Sequence, residues 1–204
     1  MSPQRKTKRY RRAFSIGHWL MAGGFIALLI AGQQFNFDLT DAYRARGLKL
    51  HSSLGAIVLF TALTLMIRRW IYKEPRPEAD LPPLKKLAAT SVQLLLYALA
   101  VFIPLSGLAT ALFSPTPTLL FGAINLSQLA GDPELYARIR SIHETGTWLA
   151  MLMIGAHGGA ALYHHFILKD DVLTSMLDVR KIKQWIAAKQ ASRRSSESGL
   201  KAPD

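Results

Sequence analysis

The placement of charge restricts this chain more than any other feature. Lys, Arg, Asp and Glu gather at segment ends and leave long apolar runs between them, from Ala13 to about Gly32, from near Lys49 to Arg68, from about Leu87 to Phe113, and from near Ile139 to about Lys169. A helix needs about 20 mainly apolar residues to cross a bilayer. In lipid the backbone polar groups must be satisfied within the structure, which helices do locally. The expectation is an all-α fold: an integral membrane four-helix bundle. Totals alone would not decide this, because 50% hydrophobic and 19% charged residues also suit a soluble chain.

Three regions follow: a basic N-terminus (1–12), a transmembrane four-helix domain (13–170), and a cytoplasmic surface helix with a disordered tail (171–204). Ile182, Trp185 and Ile186 among lysines suggest the surface helix, and the Ser/Arg-rich end suggests disorder. The basic start followed by an apolar run also resembles a cleavable signal. Its apolar part is closer to spanning length, which favours a retained first helix. Pro75, Pro77, Pro82 and Pro83 mark a loop between the second and third spans, and Pro104 with Gly107 predicts a kink in the third. Gly131–Asp132–Pro133 reads as a turn before the fourth.

Of the 25 lysines and arginines, twenty fall at the N-terminus, between spans two and three, or after span four. The other five, Arg44, Arg46, Lys49, Arg138 and Arg140, flank the two opposite connections. The positive-inside rule then places both termini in the cytoplasm. The net charge of +12 invites a nucleic-acid reading. These cations flank apolar helices and form no groove interleaved with aromatics, so that class is set aside. With no cysteine in the chain, disulfides, thiolate-held iron–sulfur clusters and CxxCH haem attachment are excluded.

Four of the six histidines, His143, His157, His164 and His165, lie between Ser141 and Lys169. His143 and His157 are fourteen positions apart, so on a helix they leave nearly the same face at levels about 21 Å apart. Histidine is a common axial ligand of haem iron, and ionisable groups inside membrane helices are functional candidates by default. An isolated histidine of this kind can equally cap an interface or hydrogen-bond a neighbouring helix. The remaining two separate by level. His18 lies early in span one and matches His157, whereas His51 opens the returning span two and matches His143. Two level-matched pairs are what two bis-histidine haem sites require, and a transmembrane electron path needs one near each face. Gly23, Gly24, Gly55, Gly146, Gly155, Gly158 and Gly159 lie near these positions, where small residues admit either a flat macrocycle or a close helix neighbour.

His164 follows His157 by seven positions, one level nearer the cytoplasm, while His165 points about 100° away. Gln93 reaches a similar level on span three, and its amide both donates and accepts hydrogen bonds. A quinone between Gln93 and His164 is one reading, and simple interfacial hydrogen bonding is the other. Lys49 and Arg140, with Arg44, Arg46 and Arg138, either draw a small anion to the outer haem or snorkel to headgroups.

The residues Gly17-His18-Trp19, His51 with Gly55 then Arg68-Arg69, Tyr97…Pro104…Gly107, and Ser141-Ile142-His143-Glu144…Gly155-Ala156-His157…His164-His165-Phe166…Lys169-Asp170 resemble the bacterial cytochrome b561 family. More narrowly, they resemble its superoxide oxidase branch, over about residues 10–178. The resemblance implies a bacterial inner-membrane protein with two haem b groups, oxidising superoxide to dioxygen outside and reducing ubiquinone near the cytoplasmic face. It implies His18, His51, His143 and His157 as haem ligands and His164 as a residue close to the quinone. Relatives commonly carry a histidine in helix three where this chain has Gln93. A glutamine cannot hold a titrating proton near neutral pH, so proton delivery there must differ. The family also contains electron-carrying cytochrome subunits, so a periplasmic redox protein is the alternative donor. A haem-free helical interaction or transport module is the alternative from another class.

Overall fold

The computed structural model describes residues 12–72, 82–170 and 172–176. Helix α1 spans Arg12–Gln33 and runs into a 3-10 turn at Gln34–Asn36; α2 spans Asp41–Tyr72 and α3 spans Pro83–Leu112. A short antiparallel hairpin follows, pairing β1 (Leu119–Leu120) with β2 (Ile124–Asn125). Helix α4 covers Pro133–Tyr163, a π turn takes His164–Leu168, and the five-residue α5 is Val172–Met176. The surface helix expected around Trp185 lies outside the described residues, as do Pro75 and Pro77.

Helices α2, α3 and α4 start earlier than their apolar runs do. Helix α2 begins at Asp41, whose charge suits a helix N-terminus. Helix α4 begins at Pro133, because Asp132 is its N-cap and accepts from the backbone N–H groups of Glu134 and Leu135, both at 3.0 Å. The expected turn at Gly131–Asp132–Pro133 is therefore a helix start. In consequence Arg44, Arg46, Lys49, Arg138 and Arg140 all stand on helices and not in loops. Helix α3 begins with Pro82 as N-cap and Pro83 in its first turn, where a missing N–H costs nothing, and continues past Pro104 to Leu112.

Helices α1, α2 and α3 are long and apolar enough to cross a membrane. Helix α4 matches them in length with 31 residues, but His143, Glu144, Thr145, Thr147 and His157 interrupt its apolar character. The outward faces carry large apolar side chains such as Leu20, Ile30, Phe60, Leu94 and Leu152, and Trp70 is 85% exposed. Such a surface suits lipid, where it costs nothing, and is poorly matched to water.

Packing follows chain order: α1 on α2, α2 on α3, and α3 on α4. The register of the first pair is set by glycines. A Cβ at Gly17 would lie 2.7 Å from Leu65 Cδ2, and one at Gly24 would lie 2.6 Å from Val58 Cγ2, so α2 side chains seat directly on the α1 backbone. The core joins Phe25 and Leu28 of α1, Val58 and Ala62 of α2, Leu99, Ala100 and Ile103 of α3, and Ala150 of α4. Helices α1 and α4, which would close the ring, have no comparably close backbone approach. The bundle is therefore open along one seam.

The two ends of the bundle are closed differently. At one end the hairpin lies on α2: Phe121 N–H donates to Ser53 Oγ at 2.8 Å, and Ser52 Oγ–H donates to the Leu119 carbonyl at 3.5 Å. At the other, α5 rests on α1, with Trp19 Nε1–H donating to the Met176 carbonyl at 3.1 Å.

Candidate functional site

Four histidines meet across the open seam in two pairs. His18 of α1 faces His157 of α4 with ring centres 6.4 Å apart. His51 of α2 faces His143 of α4 with ring centres 6.5 Å apart. These are the pairs expected from the levels of the residues, and α4 supplies one member of each. Along α4 the fourteen-residue interval separates the pairs by about 21 Å. The same interval recurs on α2 between His51 and Leu65, the residue seated on Gly17 beside His18.

The rings are too far apart to hydrogen-bond each other. Two imidazoles ligating one metal through nitrogens at about 2 Å each stand roughly 6 Å apart centre to centre, which both pairs match. Three further observations suit a large planar group lying in the seam. The buried Nδ1 of His51 has no hydrogen-bond partner. A Cβ built on Gly23, Gly55, Gly155, Gly158 or Gly159 would meet nothing within 4 Å, so these glycines border open volume. Gly17, Gly24 and Gly146 instead serve helix packing, with Gly146 lying against Phe102 of α3. A cleft open to the surface at the His51–His143 end is lined by Leu28, Gln33, Arg140, Glu144 and Trp148 beside the two histidines.

The surroundings of the two pairs differ. His143 is held from α3, where Ser106 Oγ lies 3.0 Å from its Nδ1 and a Cβ at Gly107 would come within 2.9 Å of its Cε1. Gly107 thus makes room for the ring. His51 stands edge-on to Phe35 at 5.8 Å. At the other end His18 stands edge-on to Trp19 at 5.6 Å, and His157 is exposed on the glycine-rich turn of α4. Among the described residues no cluster of three or more His, Asp, Glu or Cys is arranged to hold a metal ion.

The five expected cations separate. Only Arg140 lines the cleft. Arg138 is exposed and ion-paired with Glu134 one turn earlier on α4. Lys49 extends over the hairpin turn, with its Nζ 3.4 Å from where a Cβ of Gly122 would be. Arg44 and Arg46 stand on the first turns of α2, outside the cleft lining. Glu144, which sequence reasoning did not select, lines the cleft opposite in sign to Arg140.

At the far end Gln93 donates to Tyr97 Oη at 3.1 Å, and Arg69 stacks over the Tyr97 ring at 5.7 Å. His164 opens the π turn and its Nδ1 pairs with Asp170 Oδ2 at 2.5 Å. The left-handed Lys169, at φ 54°, turns the chain so that Asp170 N–H also donates to the His164 carbonyl at 3.2 Å. No hydrogen bond joins Gln93 to His164.

Comparison with known proteins agrees over nearly the whole of this framework. A family profile described as prokaryotic cytochrome b561 matches residues 9–178. Cytochrome b561 homolog 1 of Escherichia coli (strain K12) is 32% identical over 132 residues, covering 64% of this chain and 74% of the relative. Cytochrome b561 homolog 2 of the same organism is 28% identical over 179 residues, covering 87% and 95%. A probable superoxide oxidase CybB of Yersinia pestis is 24% identical over 166 residues, covering 80% and 93%.

Proposed function

This chain belongs to the prokaryotic cytochrome b561 family of membrane haem b electron-transfer proteins, and from that premise we propose that it holds two haem b groups in its open seam and oxidises superoxide at the expense of ubiquinone. On this reading α4 crosses the bilayer with the other three long helices, its polar residues turned to the seam, and both termini lie in the cytoplasm of a bacterium whose inner membrane it spans. The hairpin end then faces the periplasm.

The observation that carries the proposal is the pair of ring separations, 6.4 and 6.5 Å, drawn from three different helices. His51 and His143 hold the outer iron and His18 and His157 the inner one. The two haems supply one-electron transfer across the membrane. Arg140 draws the superoxide anion into the cleft, assisted at longer range by Lys49, Arg44, Arg46 and Arg138. Gln93 and His164 bind ubiquinone at the inner end. Two superoxide anions leave as dioxygen for each ubiquinone that takes up two electrons and two protons. His164, oriented by Asp170, is the group placed to pass a proton where Gln93 cannot. The name of the Yersinia pestis relative supports the choice of donor.

One observation favours a second reading. Arg140 shares the cleft with Glu144, and Arg138 is already paired, so the local field is less positive than the sequence suggests. A periplasmic redox protein docking at the hairpin end would not need that field. Rapid mixing of the oxidised protein with superoxide separates the two. Fast reduction of the haem bands, with reoxidation on adding a ubiquinone analogue, is the expected result. Bands that stay oxidised point to a protein donor, and absence of haem bands overturns the cytochrome reading.

A further inference from the structure

Of the four paired histidines, His143 alone has a hydrogen-bond partner among the described residues. We propose that Ser106 is a positioning residue for the outer site: its hydroxyl oxygen accepts Nδ1–H of His143, fixes the tautomer with Nε2 free to ligate, and holds the outer haem at a lower potential than the inner one.

The hydroxyl has one proton and two acceptor lone pairs. That proton is directed to the Ile103 carbonyl, 2.9 Å away on the preceding turn of α3. With the proton committed there, the serine oxygen, 3.0 Å from His143 Nδ1, accepts the imidazole N–H in company with the Ile103 carbonyl, which also bonds His143. A neutral imidazole with its proton on Nδ1 carries its lone pair on Nε2, the form a metal requires. The backbone of Ser106 is itself braced, since Thr110 Oγ1–H donates to its carbonyl at 2.9 Å. Gly107 completes the seat by leaving no Cβ in the path of the ring.

An acceptor on the distal nitrogen raises the basicity of a ligating histidine, and removing such a partner typically costs about 10–100-fold in metal affinity. A more basic ligand favours ferric over ferrous iron. Among the described residues His18, His51 and His157 show no such partner, so the two sites are distinguished by Ser106 and the carbonyl beside it, on a helix that supplies none of the paired histidines. An electron path whose entry site has the lower potential runs downhill toward the inner end.

The inference rests on the two-haem reading, and the test separates their failures. A redox titration of the wild-type protein, followed by haem absorbance, should resolve two steps, with His51→Ala identifying the outer one. Ser106→Ala should move the outer step upward, leave the inner step in place, and release the outer haem about 10–100-fold more readily. Ser106→Thr, which keeps a hydroxyl, should restore the wild-type outer step. If the alanine variant loses both haems, Ser106→Cys takes its place, because sulfur keeps the bulk but accepts weakly. An outer step that stays put in the variant lacking the hydroxyl overturns the proposal, as does a threonine variant that behaves like alanine. An inner step lower than the outer one in the wild type overturns it as well. A wild-type protein without two haem steps removes the two-haem reading itself, and the inference with it.

Discussion

The His51–His143 and His18–His157 pairs have nearly equal ring separations, 6.5 and 6.4 Å, yet they are built differently. The His51–His143 pair sits in a lined cleft, braced by Ser106 and Gly107 of α3 and by Phe35 beyond the end of α1. The His18–His157 pair borders a stretch of α4 where Gly155, Gly158 and Gly159 face open volume, and Trp19 stands edge-on to His18. Ring spacing is what a single metal shared by two helices would demand, and both pairs meet it. The surroundings are free to differ, and they would decide how each site holds and tunes a bound group.

The largest expected effect breaks the symmetry altogether. Replacing His143 by Ala should abolish the outer haem and keep the inner one, lowering the haem absorbance per protein by about half, while His157→Ala should do the reverse. Loss of both haems from either variant, measured on protein that remains monodisperse in detergent, would mean that the pairs do not act separately.

Glycine replacements sharpen the comparison next. A Cβ at Gly107 would press on His143 at 2.9 Å, so Gly107→Ala should displace that ring and shift the outer haem spectrum alone. Gly155→Ala meets no protein atom within 4 Å, and alanine should favour the bare helix by about 1 kcal/mol. If a macrocycle lies over Gly155, the variant should nevertheless bind the inner haem more weakly, as read by haem retention on dilution. Unchanged retention would mean that the glycine faces lipid.

A smaller effect concerns charge at the outer cleft. Arg140→Gln should lower the rate of haem reduction by superoxide several-fold and flatten its dependence on salt, since steering by a local charge is screened over roughly 10 Å at 0.1 M. Arg138→Gln, at an exposed pair with Glu134, should change the rate far less. Equal effects of the two would show that net charge, and not the cleft, attracts the anion.

Much of this arrangement was legible in the chain. The spacing of His143 and His157, and the opposite directions of successive spans, place each histidine at a level, because helix rise converts residue number into depth. The early starts of α2 and α4 were missed for a reason that is itself physical. Apolar runs mark what lipid covers, while Asp41, Asp132 and Pro133 mark where a helix begins, and the two boundaries need not coincide. The hairpin gave little sign of itself, since its turn puts a phenylalanine, Phe121 at φ 51°, where Gly or Asn is usual.

What the sequence determined by itself was depth: long apolar helices, their alternating direction, and histidines matched in level, all consequences of local periodicity and of the need to satisfy the backbone in lipid. What only the tertiary structure decided was the lateral arrangement. That α1 and α4 stand apart, that Ser106 reaches His143 from 37 residues away, that Arg140 enters the cleft while Arg138 turns to Glu134, and that Asp170 folds back on His164 all depend on how helices rotate about their axes and where loops double back. Those rotations follow from side chains seated on glycines of neighbouring helices, such as Leu65 on Gly17 and Val58 on Gly24, and such contacts join residues that no local pattern relates.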